Sequence, residues 1–406
     1  MPRTNSVRRR LLLSIIAVFM AVSAVHAAPA NAMSNSGADT VRFWNDVTMS
    51  TLVNTAIVVP AQPLYLTYVH RAIYDGVVRA AKAHVSIPAA ATAAAHSVLL
   101  HYFPAQQAAL DQRYAEALTT VPDDLSRRKG LTLGLAAADR LLRARANDGL
   151  NGPAKPLPPP GPGVWIPTPP NAVGLASWLG DVKPFTLRSA SQFRPPAPPA
   201  LTSRRWTVDY NEVRVLGSAN STQRSAAQTE AARFWGDPPY AQNQRALRAY
   251  TQLRGMGAVR TAQLFALVDT AAADALIACW DAKFTFQFWR PFSAIPAGDT
   301  DGNPATAPDP AWQPLLVTPN HPEYPSAHGC STAAMFTVLA DLVGTRHIDV
   351  DLDSVLTGTT RHFTTVAELV REVGDARVWG GLHWRFSTDA GVRLGRQVAK
   401  VVLATD

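Results

Sequence analysis

The sequence predicts an all-α protein built from helical bundles, and three observations carry that expectation. Alanine and leucine dominate the apolar residues, apolar positions recur at helical spacing through both halves, and alternating β-branched runs are scarce. With 406 residues, the chain is long enough for a sizeable core in one large or two ordinary domains.

Residues 1–32 stand outside the expected fold. Three arginines at 8–10 precede the apolar run "LLLSIIAVFMAVSAV" and the small residues "HAAPANA". A basic start, an apolar centre and a small-residue end describe a secretory signal peptide, cleaved after Ala27, Ala30 or Ala32. The expectation is an exported protein, periplasmic or secreted. No later apolar run is read as reaching bilayer length.

Residues 33–150 read as an N-terminal helical bundle, with helices near 38–58, 61–83, 88–102, 105–120 and 124–147. The run "VPDDLSRRKGLTLGLAAADRLLRARANDG" shows the logic. Acids open it, apolar residues follow at helical spacing, and basic residues and a glycine close it. Residues 151–202 form a proline-rich crossover: 14 of the 32 prolines fall between 153 and 199. Such a stretch is not helical throughout. Its aromatics, in "GVWIPTPP" and "ASWLGDVKPF", predict that it packs on the surface, and loops of this length are often functional. Residues 203–406 read as the catalytic region, with helices near 206–216, 221–235, 239–256, 258–283, 326–343, 364–380 and 388–403. The stretch 258–283 aligns Leu264, Val268, Ala272, Leu276, Cys279, Trp280 and Lys283 along one broad face, so Lys283 ends a buried stripe.

Composition narrows the function. The formal charge is +8; four arginines lie in residues 1–32, which leaves about +4, too little to argue for nucleic acid. Two cysteines, Cys279 and Cys330, suit either a disulfide in an oxidising compartment or two buried thiols. The positions would tie the lysine stretch to the serine stretch. No zinc-type spacing supports a protein-built metal cage.

Three segments carry unusual chemistry. "WDAKFTFQFWRP" holds Lys283 and Arg290, "YPSAHG" holds Ser326, Ala327 and His328, and "ARVWGGLHWRFS" holds Arg377 and His383. Arginine offers planar, permanently charged donors and lysine a compact charge, which together suit a tetrahedral oxyanion. Ser326 stands where a helix begins, so its hydroxyl and the nearby backbone N–H groups would face an anion. Histidine serves as nucleophile, ligand or general acid near neutral pH. Singly, each has a plainer reading: surface charges for Lys283 and Arg290, a helix cap for Ser326, a satisfied core residue for His383. Their conjunction favours one site.

The order K-x6-R-P, P-S-[GA]-H and R-x5-H over residues 280–387 resembles the signature of the superfamily of vanadium-dependent haloperoxidases and type 2 phosphatidic acid phosphatases. "FWNDVTM" and "HRAIYDGV" are similar to the amino-terminal bundle of exported bacterial haloperoxidase-like members. The resemblance implies an all-helical fold with the anion site at the end of a four-helix bundle. It implies that Lys283, Arg290 and Arg377 bind the equatorial oxygens of vanadate or phosphate, with Ser326 and the Ala327 N–H completing the cage. His383 would ligate vanadium or attack phosphorus, and His328 would be the acid–base residue. Trp280 matches an aromatic lining position. His321 falls where bromide-using members also carry His and a chloride-using type carries Phe, and in its loop it suits a structural role equally.

Three positions depart from the family pattern. Ala327 replaces glycine and Ala376 a serine. Ser387 replaces the aspartate four residues after the histidine, which would orient His383 and support its positive charge. Ser387 is expected to cap the last helix without supplying that charge, and Asp389 is out of register.

The resulting expectation is a vanadate-dependent haloperoxidase that uses hydrogen peroxide, halide and a small organic acceptor, with Lys283 as the polarising cation. The alternatives are an exported acid phosphatase that acts on phosphomonoesters through a phosphohistidine, and a non-catalytic phosphate-binding protein.

Overall fold

The computed structural model describes residues 36–405; the expected signal peptide, 1–32, lies outside them. Many helices start where a short polar side chain accepts a free first-turn N–H. Ser36 accepts from Asp39 and opens α1 (Gly37–Asn54). After α2 (Gln62–Lys82), Ser86 opens α3 (Ile87–Tyr102). α4 (Gln107–Leu118) and α5 (Leu125–Arg145), the latter capped by Asp124, follow. Beyond the crossover come α6 (Arg204–Leu216), α7 (Ala226–Phe234), α8 (Pro239–Leu253) and α9 (Ala258–Phe286). A single turn, α10 (Pro291–Ala294), precedes α11 (Ala327–Leu342), α12 (Val366–Trp379) and α13 (Arg385–Ala404).

The all-α expectation holds, and each predicted helical stretch corresponds to a helix. The structure adds α10 and one antiparallel hairpin, β1 (His347–Asp353) with β2 (Thr360–Thr365). The β1 segment alternates Ile348, Val350 and Leu352, all buried, with exposed polar residues. That is the period-two pattern of a half-buried strand, in a chain read as poor in such alternation.

α9 organises the fold. It packs against α1 and α2 on one side and against α11 and α13 on the other. Among the described residues it is long and apolar enough by length and composition to cross a bilayer, which corrects the expectation from sequence; 94% of its most apolar stretch is buried inside the fold. Its buried polar residues are matched. Asp269 lies 2.5 Å from His70 Nδ1 of α2 and accepts from Gln244 of α8. Gln244 in turn accepts from Asn45 of α1 at 2.6 Å.

The crossover is fastened to α9 through Asp274. This fully buried carboxylate accepts from the backbone N–H groups of Phe185 (2.7 Å), Thr186 (2.8 Å) and Leu187 (3.3 Å) and from the Thr186 hydroxyl (2.6 Å). Trp280 Nε1 donates to the Leu175 carbonyl at 3.2 Å. A proline-rich strand lacks internal hydrogen bonds, so these side chains supply what a helix would have made for itself.

α11 and α13 lie close because glycines face the contact. A Cβ on Gly391 would sit 2.5 Å from the Ser326 carbonyl oxygen, and one on Gly395 would sit 2.2 Å from that of Cys330. Gly391→Ala therefore pushes α13 from the start of α11. The expected cost is about 1–3 kcal/mol of stability, read by urea unfolding, with weakened phosphate binding because Ser326 is displaced.

Candidate active site

The motif residues converge at one end of this bundle. The last turns of α9 present Trp280 and Lys283, and Arg290 follows just before α10. Residues 319–326 lead into α11, whose first residues are Ala327 and His328. Arg377 sits in the last turn of α12. Gly381, at φ +74°, then turns the chain against Gly217 and Pro314 and delivers His383 ahead of α13. This left-handed turn, with no room for a side chain, needs glycine.

Lys283, Arg290, Ser326, Arg377 and His383 are all buried, so the surface-charge reading fails for the cations. Lys283 Nζ donates to the carbonyls of Pro322 (2.7 Å) and Glu323 (2.9 Å). Arg290 donates through Nε to the His321 carbonyl (2.9 Å) and through Nη1 to that of Leu382 (2.9 Å). Its Nη2 reaches His321 Nδ1 at 2.9 Å. Arg377 Nη1 donates to the Trp235 carbonyl at 3.2 Å.

Burial, and behind it the balance of neighbouring charges, sets the titration of this cluster. Burial is the largest cause in every case. Lys283 is lowered to about 8, against partial support from Cys279 and with Arg290 pushing the same way. Arg290 is lowered to about 10 and Arg377 to about 9. His321, His328 and His383 are held well below the usual histidine range, so they are neutral near pH 7. One carboxylate, Glu323, faces these cations, and burial raises it to about 7.

Three buried cations against one weakly acidic carboxyl leave an excess of positive charge. Buried ions cost several kcal/mol each unless paired. Three buried polar atoms in this cluster have no partner: two donors, the Ser326 hydroxyl and Arg377 Nε, and one acceptor, Glu323 Oε2. Ser326 occupies the capping position of α11, yet its side chain makes no capping bond, so the plain-cap reading also fails. Ala327 opens the helix, and its N–H has no intrahelical acceptor. Guanidinium, hydroxyl and first-turn N–H groups form a donor set for a tetrahedral oxyanion. The residues fit a vanadate or phosphate group.

His383 is oriented from both sides. Its Nε2 lies 3.3 Å from Arg290 Nη1, and its Nδ1 lies 2.8 Å from Glu323 Oε1. Arginine only donates, so Nε2 accepts and Nδ1 carries the proton. The tautomer therefore turns a lone pair toward the cations. This corrects the expectation that His383 lacks a supporting acid: the carboxylate comes from Glu323, 60 residues upstream. Glu323 Oε1 also accepts the Trp384 N–H at 3.0 Å, and Asp209 accepts that of Phe386 at 2.6 Å. These two carboxylates close the start of α13, so Ser387 does not cap it; its hydroxyl donates instead to the Glu323 carbonyl at 3.4 Å. The acid lies not in register after His383, where the family pattern would put it, but inside "HPEYPSAH", where no local signal marks it.

A cavity of about 460 Å³ opens onto the site. His328, Arg377, His321 and Trp280 share its wall with apolar side chains that include Leu276 and Leu316. The rings of Trp280 and His321 pack with centroids 4.8 Å apart. Asp237 also lines the cavity; it is buried, and its Oδ1 has no partner. Sequence reasoning gave Asp237 no role. Cys279 and Cys330 are both buried and free, with their thiols as hydrogen-bonding neighbours, so no disulfide ties α9 to α11.

The fold and the site define a helical-bundle protein with a buried cation cluster at the bundle end. Residues 263–405 match the family model of the VCPO second helical-bundle domain. Vanadium chloroperoxidase of Curvularia inaequalis is 31% identical over 264 residues, which is 48% of this chain; the chain spans 43% of that enzyme's length. The crystal structure of the first bacterial vanadium-dependent iodoperoxidase superposes with a TM-score of 0.73 at 21% identity, covering 90% of this chain and 96% of that one. An apo-type bacterial vanadium-dependent chloroperoxidase gives 0.69 at 18% identity, covering 86% and 95%. Residues 263–405 are thus similar to the second helical bundle of vanadium chloroperoxidase, and the fold as a whole is similar to that of the bacterial vanadium-dependent haloperoxidases.

Lys283 gives the site a measurable pH dependence. Its ammonium is present below about 8 and lost as pH rises through that value. Phosphate affinity, followed by calorimetry, is expected to fall by up to roughly tenfold per pH unit above about pH 8, beyond the change that Glu323 contributes near 7. Lys283→Ala should bind more weakly and lack this break.

Proposed function

We propose that the chain is a vanadate-dependent haloperoxidase that oxidises halide with hydrogen peroxide. The observation that carries the proposal is the cation cluster with its unpartnered Ser326 hydroxyl and Arg377 Nε. Lys283, Arg290, Arg377, Ser326 and the Ala327 N–H would hold the oxygens of vanadate, and His383 Nε2 would hold the vanadium. Bound vanadate supplies peroxide activation and halide oxidation, chemistry that no protein side chain provides. The likeness to the chloroperoxidase and iodoperoxidase relatives supports this assignment.

The protein's own residues prepare the site. Lys283, compact and buried, polarises an oxygen of the bound group. His328, neutral and at the cavity wall, would accept and return a proton at an oxygen of the bound group. Glu323 keeps the Nδ1–H tautomer of His383, so Nε2 remains a ligand. Trp280 and His321 line the approach and would meet the halide. The apolar walls, with Leu276 and Leu316, suit a small organic acceptor. Export through residues 1–32 is part of the proposal.

One observation favours a second reading. A phosphohistidine intermediate needs an acid behind the histidine, and Glu323 stands there. An acid phosphatase with the same cage therefore remains the alternative.

The two separate in paired assays. The haloperoxidase is expected to brominate an activated diketone with peroxide and bromide only when vanadate is supplied, with loss of at least about a hundredfold in His383→Ala, of the order reported for essential groups. Hydrolysis of an aryl phosphate that vanadate inhibits, with no bromination, would install the phosphatase instead. In the first case His321→Phe is expected to shift the bromide-to-chloride rate ratio toward chloride.

A further inference from the structure

We infer that Glu323 is the positioning residue for His383, and that it has taken over from another element the task for which Ser387 lacks a carboxylate. The inference rests on the proposed oxyanion site and adds a residue to it. Three observations carry it. Glu323 Oε1 accepts from His383 Nδ1 at 2.8 Å, and both side chains are buried. The same oxygen accepts the Trp384 N–H, so Glu323 fixes the backbone beside the imidazole as well as the ring. Ser387 sits in the first turn of α13, buried, with its hydroxyl 3.4 Å from the Glu323 carbonyl. The two positions therefore address one small volume from opposite elements: the loop before α11 and the start of α13.

A ring that ligates or attacks through Nε2 needs its other nitrogen protonated and aimed. A carboxylate does this and also stabilises positive charge that develops on the ring. A serine at 387 with no acid elsewhere would do neither. Here the acid enters between Pro322 and Tyr324, where Lys283 Nζ donates to the carbonyls of Pro322 and of Glu323 itself. Glu323 thus links the lysine, the serine helix and the histidine mechanically as well as electrostatically.

The test moves the acid. Glu323→Gln keeps the shape and removes the charge; the double variant Glu323→Gln/Ser387→Asp returns a carboxylate from the other side. Two readouts are used: phosphate and vanadate affinity by calorimetry, and the proton NMR signal of the His383 Nδ1–H, assigned by its loss in His383→Ala. Glu323→Gln is expected to weaken anion binding by about 10–100-fold, the range for groups that support a ligating histidine, and to move the Nδ1–H signal upfield. The double variant is expected to regain at least about tenfold in affinity and most of the downfield shift. Unchanged affinity and an unchanged signal in Glu323→Gln would overturn the inference. So would a double variant that melts like the parent but regains neither readout, since the role would then be structural. The NMR arm needs no anion and no turnover, so a protein that binds no oxyanion would count against the proposed function while leaving Glu323 judged by the signal alone.

Discussion

The burial of three cations at the end of one bundle is the constraint on which the rest of the structure depends. Lys283, Arg290 and Arg377 are removed from water, where each would lose several kcal/mol of solvation without partners. The fold answers with backbone carbonyls from three loops, at Trp235, residues 321–323 and Leu382. Those loops are held in turn by α9, by the close glycine contact of α11 with α13, and by the tight turn at Gly381. Positive charge that these carbonyls leave unneutralised, beside the unpartnered Ser326 hydroxyl, is what the proposed oxyanion would meet.

Carboxylates do the complementary work at the start of α13. Glu323 and Asp209 accept the N–H groups that a capping side chain would have taken. Negative charge is favourable at that end of a helix. Glu323 combines this with its bond to His383, so one side chain sets both the entry of the helix and the tautomer of the ring that precedes it. A single buried glutamate can hold both bonds because its oxygen has two lone pairs to offer.

The cavity before the site is assembled from remote parts of the chain. Val59 and Pro60 come from the first half, Leu175 from the crossover, and Pro238 and Leu316 from the second half. The crossover reaches this position because Asp274 and Trp280 of α9 satisfy its backbone. The long proline-rich stretch is thus part of the approach to the site, in keeping with the rule that long ordered loops often serve function.

Much of this was legible in the sequence, for identifiable reasons. Helical periodicity, polar starts and basic or glycine ends located the helices, because local hydrogen bonding and burial of one face decide them. Lys283, Arg290, Arg377 and the two histidines suggested an oxyanion site by residue type, and their spacings did so through the family resemblance. The hairpin was readable from Ile348, Val350 and Leu352, a short alternation outweighed by the surrounding helical pattern. What the sequence by itself determined was the set of helices and the chemistry available to them. Only the tertiary structure decided which acid serves His383, since a contact between residues 323 and 383 has no local period, and a carboxylate is recruited by proximity in space and not by register along the chain.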